Sequence, residues 1–239
     1  MLINKKVFSL ALLLFYFITA HTQNSFDSSY TKAAAVYEKT IGVNKHLYNG
    51  SEYVDYDHRI TGNPFFKGMY FTNGSIVYDG ILYDDVQLFY DVLNDDVIIR
   101  NYTGLPLQLS KEKVSSFNFA GNYFIKVAED SSASAGRPGF YQVLYNGKTK
   151  LFAKRKKEIT EKINIDNIES SFTEKDSYYI LKDDVFYPAT DKGTALHIMK
   201  DKKNELTKFI HQNKLKFKKD KENVLIKTVA YYDSLKRAQ

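Results

Sequence analysis

Two short dipeptides constrain this chain more than any other feature. Asp79-Gly80 stands between Ser75-Ile76-Val77-Tyr78 and Ile81-Leu82-Tyr83, and Asn146-Gly147 stands between Phe140–Tyr145 and Lys148–Arg155. An Asp-Gly or Asn-Gly pair between β-formers predicts a hairpin, because a type I′ turn needs positive φ at both central residues. Strands joined so tightly are antiparallel. Asp84-Asp85, Asn94-Asp95-Asp96, Gly121-Asn122 and Asp183-Asp184 punctuate further β-rich runs at Val86–Tyr90, Val97–Arg100, Val114–Phe119, Tyr123–Val127, Tyr178–Leu181 and Val185–Tyr187. Leu105, Leu107 and Leu109 alternate with Pro106, Gln108 and Ser110, the pattern of a strand with one buried face. Pro106 places the start of that strand at an edge. No fixed period recurs, which argues against a solenoid or propeller. The runs are too short, and their outer faces too charged, for an outer-membrane barrel.

The two ends read differently. Asp27–Ile41 is expected to form a short helix, capped by Ser28 or Ser29 and stopped by Gly42. From Gly193 the apolar spacing becomes helical through Leu196, Met199, Leu206, Phe209 and Ile210. A second helix is predicted from Asp220, with Leu225, Val229 and Tyr232 on one stripe. The expected fold is α+β and mainly β: a twisted antiparallel meander with a short N-terminal helix and a C-terminal basic helical pair. The expected divisions are 1–22, 23–46, 47–190 and 191–239: a signal peptide, a helical segment, an antiparallel β domain and C-terminal helices packed on it. Glu129–Pro138 is small and polar and reads as a flexible loop tip.

Lys5 and Lys6, the apolar run Val7–Ile18 and the small or polar residues Thr19-Ala20-His21-Thr22-Gln23 form the three-part pattern of a secretory signal. The run is short for ~30 Å of hydrocarbon. Cleavage is expected after Ala20 or Thr22. Cysteine is absent, which removes disulfides, Cys-held metals, thiol nucleophiles and lipid attachment through an N-terminal Cys. The expected location is the periplasm or outer envelope, not as a lipoprotein, with no transmembrane segment in the mature chain.

Charge is uneven. Residues 24–150 carry 12 basic and 14 acidic side chains, and residues 151–239 carry 20 and 14. For an exported chain the partner classes this balance suggests are an anionic envelope polymer, lipid head groups or an envelope protein, not nucleic acid. Lys216, Lys218 and Lys219 are the candidate contact to an anionic surface. The reading preferred for this charge run is a solvated lysine-rich face on packed helices, ahead of specific binding.

Catalytic motifs are missing. No G-x-S-x-G, P-loop, G-x-G-x-x-G or H-E-x-x-H occurs, and no cofactor is expected. His197 and His211 have no spacing that sets two ligands on one turn. Asp55-Tyr56-Asp57-His58 supplies the candidate catalytic residues Asp55, Asp57 and His58. The acidic pairs read as turn chemistry ahead of calcium, since Asp side chains bond nearby backbone amides. Tyr78, Tyr83, Tyr90, Tyr141 and Tyr145 read as strand aromatics that close a core, ahead of a sugar-stacking platform.

Tyr48-Asn49-Gly50 with Tyr53, Gly62-Asn63-Pro64-Phe65-Phe66, Gly74–Gly80 and Gly139–Gly147 resemble uncharacterised exported proteins of the Bacteroidota, from about Leu47 to the C-terminus. The resemblance implies an envelope setting and assigns no site residues. The expected function is that of a non-catalytic exported envelope protein acting by protein or polymer contact. The alternatives are a carbohydrate- or lipid-binding module and a hydrolase with an unrecognised carboxylate site.

Overall fold

The computed structural model describes residues 45–68, 70–127, 138–163, 165 and 167–237, together with Lys32 and Gly42. The predicted signal segment, the Asp27–Ile41 helix and most of the Glu129–Pro138 loop lie outside the described residues. The chain divides into two compact units, 1–46 and 47–239, and the second carries the fold.

Its strands, in chain order, begin with β1 Gly50–Glu52, β2 Thr72–Tyr78, β3 Ile81–Asp91, β4 Asp96–Arg100 and β5 Pro106–Leu109. There follow β6 Val114–Phe119, β7 Asn122–Val127, β8 Gly139–Asn146 and β9 Lys150–Lys154, then β10 Lys157–Ile163 and β11 Ile168–Glu174, and last β12 Ser177–Lys182 and β13 Val185–Pro188. Eleven of them form one sheet, in the order β1-β5-β4-β3-β2-β6-β7-β8-β9-β12-β13. A separate hairpin of β10 with β11 leaves that sheet between β9 and β12. Every strand pair is antiparallel among the described residues, and this unit is mainly β with three α-helices near the C-terminus.

The sheet is rolled. Residues 110–113 link β5 to β6, which lie on opposite sides of β4, β3 and β2. Four flat strand spacings of about 4.8 Å would outrun that link, and Lys111–Lys113 shortens it further by forming a 3₁₀ turn. Curvature brings the end of β5 and the start of β6 within reach of this link. The Tyr90 ring on β3 consequently meets Phe124 on β7 at 5.2 Å and Phe140 on β8 at 6.1 Å, past two intervening strands or more. The concave face holds a core of Ile76, Tyr78, Tyr83, Leu88, Tyr90, Ile99, Phe117, Phe119, Phe124 and Phe140.

Local chemistry sets the register. Asp79 and Gly80 both have positive φ, as do Asp183 and Asp184, so both predicted turns are tight. Asp84-Asp85 does not separate two strands. It forms a β-bulge inside the eleven-residue β3, with Gly74 opposite Val86 and Ile76 opposite Tyr83. Asp85 takes φ 56°. The extra residue resets the alternation, so that Tyr83 and Val86 both point into the core. The turn predicted at Gly121-Asn122 falls one residue earlier, at Ala120-Gly121, where both φ values are positive, and Asn122 begins β7.

On the opposite face of β3 and β4, Tyr53, Phe65, Phe89 and Ile98 form a smaller cluster. Asp91 is fully buried there. Its carboxylate accepts the Tyr53 and Tyr56 hydroxyls at 3.2 and 2.8 Å and the Leu93 and Asn94 amides at 2.9 and 3.2 Å. Four donors are what make a buried carboxylate tolerable.

Three helices form a layer on this end of the sheet: α1 Lys192–Ile198 against β12 and β13, α3 Lys221–Arg237 against β8 and β9, and α2 Lys203–Gln212 against the other two helices. Leu206, Ile210, Leu225, Val229 and Tyr232 bury with Leu151 and Ile180 of the sheet. The single helical run expected from Gly193 is broken by a 3₁₀ turn at Lys200–Lys202, which gives α1 and α2. Asp191 caps α1 by accepting the Thr194 amide at 2.9 Å, in a capping box.

Candidate functional site

One cleft gathers residues from four separate segments. The β8–β9 loop supplies Lys148 and Thr149, the start of the β12–β13 turn Lys182 and Asp183, the α1–α2 link Lys200 and Asp201, and the last turns of α3 Tyr232, Asp233 and Lys236. Together they line a cleft of about 300 Å³.

Two aspartates build it. Asp233 is buried and accepts the Thr149 amide at 3.0 Å and the Tyr145 hydroxyl at 3.3 Å. That anchorage explains a departure from the two-residue turn expected at Asn146-Gly147. Asn146 pairs with Lys150, leaving a three-residue loop, 147–149, clasped by the helix. A Cβ at Gly147 would run into the Asp233 carboxylate and the Tyr145 ring, so glycine permits the approach.

Asp201 gathers the cations. It accepts the Tyr232 hydroxyl at 3.0 Å and pairs with Lys236 at 2.7 Å and Lys182 at 3.4 Å. The Lys182 ammonium also donates to the Ile198 carbonyl at 3.1 Å and lies 5.5 Å from the Tyr232 ring centre. Burial on its own raises the Asp201 carboxyl, but hydrogen bonds from Lys236 and Tyr232 and the charge of Lys182 bring it down to about 2. Burial first, and the Asp201 bond second, push the Tyr232 hydroxyl up to about 12. Lys148 and Lys200 are exposed and have no ion-pair partner among the described residues. The cleft therefore offers two spoken-for ammoniums and two free ones.

The sequence candidates lie elsewhere. Asp55, Asp57 and His58 are all exposed. Asp57 holds both the amide and the guanidinium of Arg59, which keep its carboxyl well below the usual carboxylate range. The His58 side chain is 97% exposed. The cluster behaves as a local turn. Lys216, Lys218 and Lys219 are exposed on the link between α2 and α3 and do not line the lysine cleft. His197 and His211 are exposed. Among the described residues no group of three or more His, Asp or Glu side chains is placed to hold a metal ion. No helix among them is long and apolar enough to cross a membrane. Of the five strand tyrosines, Tyr78, Tyr83, Tyr90 and Tyr141 are buried and Tyr145 is partly so.

The cleft lysines were not legible as a set. Each is an ordinary surface lysine in its own segment, and only the fold collects them. The cleft also joins three aspartates, the arrangement a carboxylate hydrolase would need. Such an enzyme holds one carboxyl protonated as the acid, whereas Asp201 is driven the other way and Asp233 is committed to Thr149 and Tyr145. Asp96, a carboxyl that burial does raise, is on β4 and outside the cleft, and it is bound by Lys111 at 3.1 Å and Gln108 at 2.9 Å.

Comparison with protein-family models, with curated proteins and with solved structures finds no match to this chain.

Proposed function

We propose that this chain is an exported cell-envelope protein that acts without catalysis, by holding an anionic polymer against the lysine cleft. One observation carries the reading. Four ammonium-bearing side chains from four segments surround one cleft, and two of them, Lys148 and Lys200, have no counter-ion there. The ligand chemistry that fits is a chain bearing repeated phosphate or carboxylate groups. One exposed ammonium contributes little by itself and is screened by salt. A polymer compensates by engaging several at once.

The test is a salt-dependent titration with polygalacturonate, with neutral dextran as the control. Lys148→Ala with Lys200→Ala is expected to weaken polygalacturonate binding and flatten its salt dependence. Lys216→Ala with Lys218→Ala and Lys219→Ala is expected to leave both unchanged. Equal binding of dextran and polygalacturonate, or indifference to the cleft substitutions, defeats the proposal. Export is tested separately by mass spectrometry of the native protein, with an N-terminus expected near His21 or Gln23. An intact Met1 terminus defeats that part.

A further inference from the structure

The β10–β11 hairpin is built to be rigid on one side and open on the other. Its root is fixed. The Lys157 ammonium donates to the carbonyls of Asn63 and Phe65 at 2.8 and 2.9 Å, and its amide donates to Val92 at 3.3 Å. The outer edge of β11 is occupied as well, since the Thr61 amide donates to Ser170 and the Phe172 amide donates back to Thr61, at 2.9 and 3.0 Å. Tyr56 packs edge-on against Phe172 at 5.6 Å. The outer edge of β10 has no strand partner among the described residues, and residues 159–163 are all exposed. Ile163 and Ile168 are 78% and 63% exposed.

An exposed strand edge of this kind is a template for another strand. The order of charges along β10 names the strand it fits. We propose that β10 pairs antiparallel with β10 of a second copy, about a two-fold axis through Thr160. In that register Glu158 of each copy lies opposite Lys162 of the other, so both charged positions on that face are matched twice. Thr160 meets itself. Glu158 already has partners in its own chain, Lys156 at 2.6 Å among them, and the two oxygens of a carboxylate together accept several donors, so a cation from the second copy adds to these contacts. On the reverse face Ile159 lies diagonal to Ile159 and Ile163 of the second copy, within reach of long side chains.

Neighbouring registers are worse. Centring on Glu161 or Lys162 sets a like charge against itself. Centring on Ile159 places Lys156 opposite Lys162 and requires Lys157, whose ammonium is taken up by two carbonyls. The odd registers are closed to a two-fold pair, because the side chains would face opposite sides of the sheet. A single strand pair buries less than the roughly 1,000 Å² of a stable interface, so association is concentration-dependent.

Sedimentation velocity of the purified chain over a concentration series tests this. A monomer–dimer equilibrium is expected. Glu158→Lys alone and Lys162→Glu alone should each weaken it about tenfold, since each creates two like-charge contacts. The double variant, Glu158→Lys with Lys162→Glu, should restore it. The chain has no cysteine, so Thr160→Cys gives an independent readout. Mild oxidation should link it into a covalent dimer, while Lys200→Cys should stay monomeric. A parent chain that is monomeric at its solubility limit overturns the proposal. So does a double variant no tighter than the single ones, or a Thr160→Cys chain that links no faster than the Lys200→Cys chain.

Discussion

Asp233, near the end of α3, accepts the amide of Thr149 in the β8–β9 loop at 3.0 Å, and Tyr145 donates to the same carboxylate at 3.3 Å. One helical side chain therefore sets the position of a sheet loop, and with it the position of Lys148. Structure and proposed function meet at this contact.

Asp233→Ala should leave the Thr149 amide without its acceptor at a buried position. An unsatisfied buried group costs about 1–3 kcal/mol, which for a chain of this size lowers Tm by several degrees. Asp233→Asn keeps an acceptor and should cost less. Thermal melting followed by circular dichroism reads the order, Ala below Asn below the parent. Equal Tm for all three would show that the loop holds its place without the helix.

Arg155 is the second joint. Its guanidinium side chain is 10% exposed and meets Asp176 before β12 and Glu222 in the first turn of α3. Its Nε donates to Gln142 at 2.7 Å. Arg155→Met leaves two carboxylates without their cation and should cost about 3–5 kcal/mol, the loss seen on breaking a buried pair. Urea unfolding gives the value. A cost below ~1 kcal/mol would mean that Asp176 and Glu222 find water in its place.

Acid stability should carry the signature of Asp201. Its carboxyl moves from 3.8 to about 2 on folding. Because the folded value is the lower, the unfolded chain takes up the proton first as pH falls. The contribution is complete above about pH 4 and disappears as pH falls through about 2. Asp201→Asn should therefore narrow its stability deficit towards the parent over that window, measured by urea midpoints at each pH. A deficit that stays constant would assign the acid sensitivity to other carboxylates.

Packing should outweigh surface charge in the helical layer. Phe209 stacks on Tyr231 with centroids 4.1 Å apart and is partly buried against the core of α1 to α3. Phe209→Ala should lose about 1–2 kcal/mol, less than a fully buried aromatic because the ring is partly exposed. Replacing Lys216, Lys218 and Lys219 together by Ala should hardly change the melt. A reversed order would mean that α2 and α3 are held together mainly by surface charge and not by this ring stack.

Much of the architecture follows from local chemistry. Asp79-Gly80 and Asp183-Asp184 form tight turns because glycine and aspartate tolerate positive φ, and that makes their flanking strands antiparallel wherever they lie. Leu206, Ile210, Leu225, Val229 and Tyr232 recur at helical spacing, so an apolar stripe had to be buried. The β10–β11 hairpin was not legible in this way. The residues between its strands, Asn164-Ile165-Asp166-Asn167, lack a two-residue glycine signal, and the exposed strands mix Ile with Glu, Lys and Thr in place of clean alternation. The Asp84-Asp85 bulge was equally hidden, because a bulge and a turn use the same residues and only the partner strand distinguishes them.

The order of residues along the chain thus dictates the short-range part: strand class, most turn positions, the helical end and the absence of thiol chemistry. Each depends on φ preferences, side-chain period or residue type within a few positions. The roll of the sheet, the buried Asp91 and the cleft that collects Lys148, Lys182, Lys200 and Lys236 emerge only on folding. Those features depend on which distant segments become neighbours. Thr149 and Asp233 are 84 residues apart in the chain, and no local preference at either end specifies that they meet. The meeting is settled by the shared burial of α3 and β9 around Leu151, Leu225 and Val229, a many-body packing outcome that no single segment encodes.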